Sequence, residues 1–330
     1  MKALTNKLLA IAIFIGTLVI FAPSSVAQSV SQLEEKLLPV GQFSSISVTD
    51  DFDITIIKGS YSVRLTTEKV LAPYIQVYVR GKVLYITYDS KSVPKDIKKL
   101  YKGKNVPNPV FRAVVSLPEL NGITLEDNAT VTATEEFDGG SFTLSLQDKA
   151  QVKNLRLHCT SAQMTLKKNS QATIDMVCDQ KAEMTTEGNS VLKMTLNTAD
   201  AVFTTSNSSA VTLSGEARTF TLNTGGSSKI LASEKAETAT LALGGSSSVS
   251  LSGTTDILNY SSEKSAEADI SNYVSRAATV NMTGGKGSIN VTEELAVSLT
   301  GGSVLNYVGT PTFKIEKVIK STLAPLGVTK

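Results

Sequence analysis

Two neighbouring stretches of the chain decide the fold: TFTLNTGGSSKILASEKA at residues 219–236 and TATLALGGSSSVSLSGTT at residues 238–255. Both place apolar residues, polar residues and a Gly-Gly-Ser turn in the same order, and equivalent residues such as Leu222 and Leu241 lie 19 apart. Residues separated by two positions point to the same side of a strand. Each stretch therefore predicts a strand, a polar turn and a second strand, with the apolar side chains on a common face.

The same spacing of 19–20 residues continues along most of the chain. One apolar ladder consists of Leu125, Leu144, Met164, Met184, Phe203, Leu222, Leu241, Tyr260, Val280 and Leu299. A second ladder, two residues upstream, consists of Ile123, Phe142, Ala162, Ala182, Ala201, Phe220, Ala239, Leu258, Ala278 and Val297. A third, eight residues downstream of the first, consists of Ala133, Val152, Ala172, Leu192, Val211, Ile230, Val249 and Ala268, with Ile289 after a one-residue slip. A fourth, ten residues downstream, consists of Ile174, Met194, Leu213, Ala232, Leu251 and Ile270.

A period of this length indicates one coil of a solenoid. It is too short for a propeller blade, and it lacks the leucine and asparagine pattern of a leucine-rich repeat. Strands of one coil can bury their apolar face only when neighbouring coils stack on them. The sequence therefore predicts an all-β fold, a parallel β-helix (β-solenoid) with about ten coils between Ile123 and Leu299.

The chain divides into five predicted segments. Residues 1–27 have the basic start, apolar run and Ser25-Val26-Ala27 ending of a signal peptide. Residues 28–39 are expected to be a linker. Residues 40–118 read as an irregular β-rich part with a lysine-rich insert at 91–104, predicted as a solvated loop or short helix. The coils are expected at 119–317 and a C-terminal tail at 318–330.

Composition excludes several classes of function. The 330 residues carry 32 Lys and Arg against 30 Asp and Glu, and this net charge of +2 is too small to indicate a nucleic-acid-binding protein. The single His, His158, excludes sites that need two histidines, and no metal or other cofactor is expected. A hydrophobic content of 41% with 19% charged residues indicates a folded chain.

Few residues are candidates for catalysis. The strongest group is Asp50, Asp51 and Asp53, and its position at a strand turn favours capping of the backbone. His158 precedes Cys159 directly, so the two side chains point to opposite sides of a strand and cannot form a nucleophile and base pair. We expect no catalytic residues, and a carbohydrate-active enzyme is the least favoured alternative.

The predicted outward positions of the first strand in each coil are rich in hydroxyl and amide side chains. The candidate binding residues are Thr143, Thr165, Thr185, Thr204, Thr221, Asn223, Thr240, Asn259, Thr279 and Asn281. Threonine is also favoured on any exposed strand, so an ordinary sheet surface is the alternative interpretation. Gln163, Glu183 and Val202 interrupt the threonine pattern and argue against ice binding.

The two cysteines, Cys159 and Cys178, lie 19 residues apart and so fall on neighbouring coils. One strand spacing is within the reach of a disulfide. A structural disulfide and a pair of buried free thiols are both compatible with this spacing. A metal site with His158 is not expected, because a structural zinc site needs four ligands.

Four short motifs resemble the head GIN domain family of auto-transporter adhesins. They are QFSSISV at residues 42–48, DITI at 53–56, VVSLPEL at 114–120 and LNYVGTP at 305–311. The resemblance covers residues 40–317 and includes the Gly, Ser and Asn turns of the repeat. It implies a right-handed β-helix and a periplasmic or surface location in Gram-negative bacteria.

The repeat and the resemblance together predict a non-catalytic binding or adhesion protein. It would be exported and be periplasmic, outer-membrane-associated or secreted, with no membrane span after signal cleavage. Its partner would be a glycan or an envelope or surface protein, and not a nucleic acid. The alternative is a periplasmic scaffold or regulatory module that engages an envelope protein.

Overall fold

The computed structural model describes residues 32–104 and 106–327. The predicted signal peptide, residues 1–27, lies outside these ranges. Within them, no helix is both long and apolar enough to cross a membrane. Strands make up most of the described chain, and the all-β prediction is confirmed.

The N-terminal part is a small mixed sheet. Its elements are β1 (Leu33–Leu38), β2 (Ser45–Val48), β3 (Asp53–Lys58), β4 (Ser62–Glu68), a 3₁₀ turn (Ala72–Tyr74), β5 (Ile75–Arg80), β6 (Val83–Tyr88), α1 (Lys95–Leu100) and β7 (Phe111–Leu117). Strand β4 pairs antiparallel with β1 and β7, and β5 pairs antiparallel with β6. The lysine-rich insert contains the short helix α1.

The coils follow as a stack of parallel strands. These strands are β8 (Gly122–Leu125), β9 (Thr130–Ala133), β10 (Glu136–Asp138), β11 (Ser141–Leu146), β12 (Gln151–Leu166), β13 (Gln171–Thr186), β14 (Val191–Thr205), β15 (Ala210–Thr224), β16 (Lys229–Leu243), β17 (Ser248–Leu299), β18 (Val304–Val308), β19 (Thr312–Val318) and β20 (Thr322–Pro325). Each pairs in parallel with the strand one coil away, which gives a solenoid of about 11 turns. From β14 to the first part of β17 the register has no shift.

The segment boundaries differ from the sequence prediction at both ends. Residues 33–38, expected as linker, form β1, which pairs along its whole length with β4. Strands β2 and β3 pair in parallel with β8 and β9, so the stack of parallel strands begins at Ser45 and not at residue 119. At the other end, β20 pairs in parallel with β18, so part of the predicted tail belongs to the last coil.

The apolar ladders fill the interior of the coils, which we call the lumen. Every member of the first and second ladders is buried, as predicted. The first coil, however, is longer than the rest: Leu144 lies beside Ile123 and not beside Leu125, and Val152 lies beside Val131 and not beside Ala133. The shift is two residues, and strand side chains alternate with a period of two. The displaced apolar residues therefore still point inward.

The third ladder also ends differently from the prediction. The hydroxyl of Ser288 donates a hydrogen bond to Asp269 at 2.8 Å, which sets these residues side by side on consecutive coils. Ala268 then lies next to Gly287, and Ile289 continues the fourth ladder. A Cβ atom at Gly287 would lie 3.0 Å from the ring of Tyr260, so the glycine leaves room for this large lumen side chain.

One corner of the coil is built by the turns that the sequence predicted. Residues such as Lys168, Asn207 and Gly226 adopt a positive φ there. Just after them, a column of serines is buried: Ser170, Ser190, Ser209, Ser228 and Ser247. Ser209 donates to the carbonyl of Ser206 at 2.7 Å, and the equivalent bond recurs in neighbouring coils. These hydroxyls replace water at the corner, so the serines of this column have a structural role.

Candidate functional site

The predicted binding residues lie on one outward face of the solenoid, in two adjacent rows. The first row consists of Thr143, Gln163, Glu183, Val202, Thr221, Thr240 and Asn259. The second row consists of Ser145, Thr165, Thr185, Thr204, Asn223, Ala242 and Ser261. We call these two rows the hydroxyl face. Alternation with buried neighbours directs all of these side chains away from the lumen.

Thr279 and Asn281 belong to the later part of β17. They are exposed and flank the buried Val280, so they also point outward. The seven coils of the hydroxyl face span about 29 Å, because neighbouring strands lie about 4.8 Å apart. The surface thus offers polar side chains on every coil, although Val202 and Ala242 each leave one of the two positions apolar.

The hydroxyl face contains little chemistry beyond hydrogen bonding. Its one carboxylate, Glu183, forms an ion pair with Lys181 of the same strand. Neither row contains an aromatic side chain on which a sugar ring could stack. Acid–base catalysis needs a second titratable group near the first. Within these two rows, Glu183 has no second titratable side chain beside it.

The aspartates at the second turn serve the backbone. Asp50 adopts a φ of 68° and accepts hydrogen bonds from the backbone nitrogen of Tyr88 at 3.2 Å and from the hydroxyl of Thr49 at 2.9 Å. Asp51 accepts a bond from the side-chain amide of Asn128 at 2.5 Å. These contacts fix the turn before β3 and connect it to the first coil, as expected for turn-capping residues.

His158 lies on the outside of β12, with about half of its side chain exposed. Its Nε2 atom is 2.9 Å from a carboxylate oxygen of Asp179 on the next coil. The hydrogen bond to Asp179, and then the charge of Asp179, raise the pKa of His158. Cys159, the next residue, points into the lumen, so the histidine and the thiol are separated by the strand.

A shallow groove that the sequence did not predict lies beside the bulge at Asn154. It has a volume of about 570 Å³ and follows the row formed by Arg156, Asp175, Thr195 and Ser214 on four successive coils. The sequence gives little indication of the groove, because the residue types at outward positions do not recur from coil to coil. The groove combines charged and hydroxyl groups and has no aromatic residue in its lining.

A cysteine pair and a glutamate are two polar features of the lumen, which also contains the buried Thr186, Thr205, Tyr260 and Tyr273. Cys159 and Cys178 lie side by side on β12 and β13, and both are buried free thiols. The hydrogen bond with Cys178, together with burial, raises the pKa of Cys159. The Sγ atom of Cys178 is 3.2 Å from the carbonyl oxygen of Lys181. The sequence prediction that the two cysteines occupy neighbouring coils agrees with this register.

Glu234 is the second polar feature of the lumen. It occupies an inward position of β16 between Gly215 and Gly253, and only 3% of its surface is exposed. Among the described residues, its Oε2 atom and the hydroxyl of Tyr273 have no hydrogen-bond partner. Burial, and then the charge of Glu216, raise the pKa of Glu234 to about 8. It is therefore mostly protonated at neutral pH.

Metal ligands are not grouped in the part of the chain that the structure describes. Residues 32–104 and 106–327 contain no cluster of three or more His, Cys, Asp or Glu side chains that could hold an ion. Glu234 and Tyr273 are only two side chains, and structural metal sites use more.

Comparison with known proteins places these observations in a family. The family model "Putative auto-transporter adhesin, head GIN domain" matches residues 42–242 and 234–311. Among curated proteins, none matches this sequence. Solved structures that are similar include two putative adhesins, from Parabacteroides merdae and Parabacteroides distasonis, and a putative lipid binding protein from Parabacteroides distasonis.

The three structures align over most of their length but at low identity. The P. merdae adhesin is 16% identical with a TM-score of 0.34, over 89% of this chain and 96% of that chain. The P. distasonis adhesin is 16% identical with a TM-score of 0.39, over 90% and 98%. The lipid binding protein is 14% identical with a TM-score of 0.30, over 89% and 96%.

Proposed function

Because the chain belongs to the family described as "Putative auto-transporter adhesin, head GIN domain", we propose that it is a non-catalytic binding protein of the cell envelope. Its ligand would be an extended glycan that lies along the hydroxyl face. The signal-peptide pattern of residues 1–27 supports export, and the family description supports a surface or periplasmic location.

The unbroken register of the hydroxyl face is the observation that carries this proposal. Thr165, Thr185 and Thr204 lie side by side on three successive coils. A polymer with regularly spaced hydroxyl groups can form similar hydrogen bonds at each coil. Each contact is weak, but linked contacts act together through a high effective concentration. A long regular face therefore suits an extended ligand better than a small one.

The chemistry of the outer surface supports binding without turnover. Glu183 is held by Lys181, and His158 is held by Asp179 at a separate corner. On the hydroxyl face, Glu183 has no second carboxylate opposite it, and glycoside hydrolysis ordinarily uses two. Measurable release of reducing ends or unsaturated sugars from any polysaccharide would contradict this part of the proposal.

The test is a glycan-binding measurement with the purified protein and a row-disrupting variant. Changing Thr165, Thr185 and Thr204 to Lys places three long charged side chains across the hydroxyl face. We expect any glycan retained on an array by the unchanged protein to lose at least about tenfold in affinity, because the ligand can no longer approach the sheet.

The matched control adds the same three charges elsewhere. Gln171, Ser233 and Ser248 are exposed on other faces of the solenoid, and changing them to Lys should leave glycan binding unchanged. Equal losses in both variants would mean that net charge, and not the hydroxyl face, governs binding. Capture of an envelope protein with no glycan retained would favour the scaffold function instead.

A further inference from the structure

The last coil leaves lumen positions uncovered. Phe313, Ile315 and Val318 lie beside Leu295, Val297 and Leu299 and so continue the inward ladders. Leu295, Val297 and Leu299 are at most 1% exposed, whereas Phe313, Ile315 and Val318 are 39%, 60% and 38% exposed. Ile319 and Leu326 are also exposed nearby. Leu33, Leu37 and Tyr78 are exposed in the N-terminal part, but the C-terminal residues differ because they occupy inward positions of a coil. A group of exposed apolar residues marks an interaction surface.

The N-terminal end of the solenoid is built differently. Strands β6 and β7 cover the edges of β2 and β3, and β4 and β5 then pair with them in the antiparallel direction. Phe43, Phe52 and Leu71 are buried within this N-terminal region. One end of the lumen is therefore closed by a layer of strands, while the described residues of the other end leave its apolar positions open.

The open end also has a free strand edge. Within residues 32–104 and 106–327, β19 pairs only with β17, so the backbone groups on its other side have no strand partner. Lys314, Glu316 and Lys317 lie along this edge, and within one copy Lys314 Nζ lies 3.9 Å from Glu316 Oε1. Charges on an edge strand prevent indiscriminate pairing and favour a partner with the complementary order of charges.

We propose that this C-terminal end binds the same end of a second copy, so that two solenoids join about a two-fold axis near Ile315. Antiparallel pairing centred on Ile315 places Lys314 of one copy opposite Glu316 of the second, and the reverse pair forms by symmetry. The exposed Phe313, Ile315 and Val318 of both copies then cover one another. The bulge at Glu316 keeps both Ile315 and Val318 on the inward side.

The charge order of β19 and the closed N-terminal end determine the type of assembly. A two-fold contact uses the same surface on both copies and ends at a dimer, whereas a head-to-tail contact would continue into a filament. The N-terminal end presents antiparallel strands and not an open lumen, so it does not match the C-terminal end. A closed dimer follows.

The test measures the mass of the purified protein by light scattering during size exclusion, over a range of concentrations. We expect twice the monomer mass. Ile315→Asp should abolish the dimer, because it places a charge at the symmetry axis. Leu231→Asp is the matched control, since Leu231 is 58% exposed on the side of the solenoid, and it should leave the dimer intact.

Exchanging the charges of Lys314 and Glu316 distinguishes pairing in the proposed register from nonspecific hydrophobic association. Lys314→Glu and Glu316→Lys should each weaken the dimer about tenfold, because each brings two pairs of like charges together. The double variant Lys314→Glu with Glu316→Lys should restore it. A monomer at all concentrations, a filament, or a dimer that survives Ile315→Asp would each overturn the proposal. Unchanged circular dichroism would show that the variants fold.

Discussion

The lumen and the hydroxyl face are made by alternate residues of the same strands, yet they obey different rules. Along the first ladder each lumen residue is apolar and lies on another apolar residue, as Phe203 lies on Leu222. At the outward position one residue before this ladder, the side chain varies from Gln163 to Glu183 to Val202 without any change in register. Packing in the lumen thus stabilises the fold, whereas the side chains of the outer face can vary without changing it.

The largest effect should come from placing a charge in the lumen. Leu222→Asp would bury an unpaired carboxylate, which costs more than about 4 kcal/mol and should prevent recovery of folded protein. The neighbouring Asn223→Asp introduces the same group on the hydroxyl face and should change the free energy of unfolding by less than about 0.5 kcal/mol. Urea unfolding followed by circular dichroism measures both. Similar losses at the two positions would contradict the distinction between lumen and outer face.

Glu234 offers a milder way to test the lumen, through pH. Its folded pKa of about 8 lies above the ordinary value of 4.5, so between these values the folded chain binds more protons than the unfolded chain. Folding stability contributed by this residue is therefore complete below about pH 4.5 and falls as the pH rises towards 8, by about 1.4 kcal/mol per pH unit at most.

Glu234→Gln should remove this pH dependence and stabilise the protein at pH 8. The control is Glu237→Gln, which changes an exposed glutamate of the same strand and should keep the slope of the unchanged protein. The measurement is the urea midpoint at several pH values between 5 and 8.5. If Glu234→Gln destabilises the protein at pH 8, the carboxylate has a stabilising partner and the interpretation is wrong.

The cysteine pair tests whether a covalent bond can replace packing in the lumen. Oxidation of Cys159 and Cys178 by a disulfide reagent such as oxidised glutathione would transfer two electrons to the reagent and form one cross-coil disulfide. Closing a loop of this length should stabilise the fold by about 3 kcal/mol. Intact mass should fall by two hydrogens, and Cys178→Ser should show neither change. Oxidised protein that is no more stable than reduced protein would contradict the expected gain.

The sequence predicted the lumen well because two periods act together there. Alternation by two sets the inward face, and the repeat of 19–20 residues sets the neighbour on the next coil, so Met164 and Met184 could be paired in advance. The extra length of the first coil could not be predicted, because a shift of two residues leaves the apolar pattern intact. Strand β1 could not be predicted either, because its partner β4 is distant in sequence and the two strands lie outside the 19–20-residue repeat.

The inward ladder that contains Glu234 was harder to predict from the sequence. Its inward positions include Leu157 and Met176, then Gly215, Glu234 and Gly253, so hydrophobicity alone does not trace this ladder. The burial of the serine column could not be predicted for a related reason. A serine whose hydroxyl bonds to its own turn cannot be distinguished in the sequence from a serine on the surface. The outward groove at Arg156 leaves no periodic signal at all.

The unshifted register from β14 to β17 has a consequence for how such a chain can change its length. One coil corresponds to a fixed number of codons, and its removal or duplication would join residues that already have equivalent neighbours. The rod would shorten or lengthen by about 4.8 Å with each event. The length of the solenoid can therefore change in evolution by whole coils, while the sequences of its two ends stay unchanged.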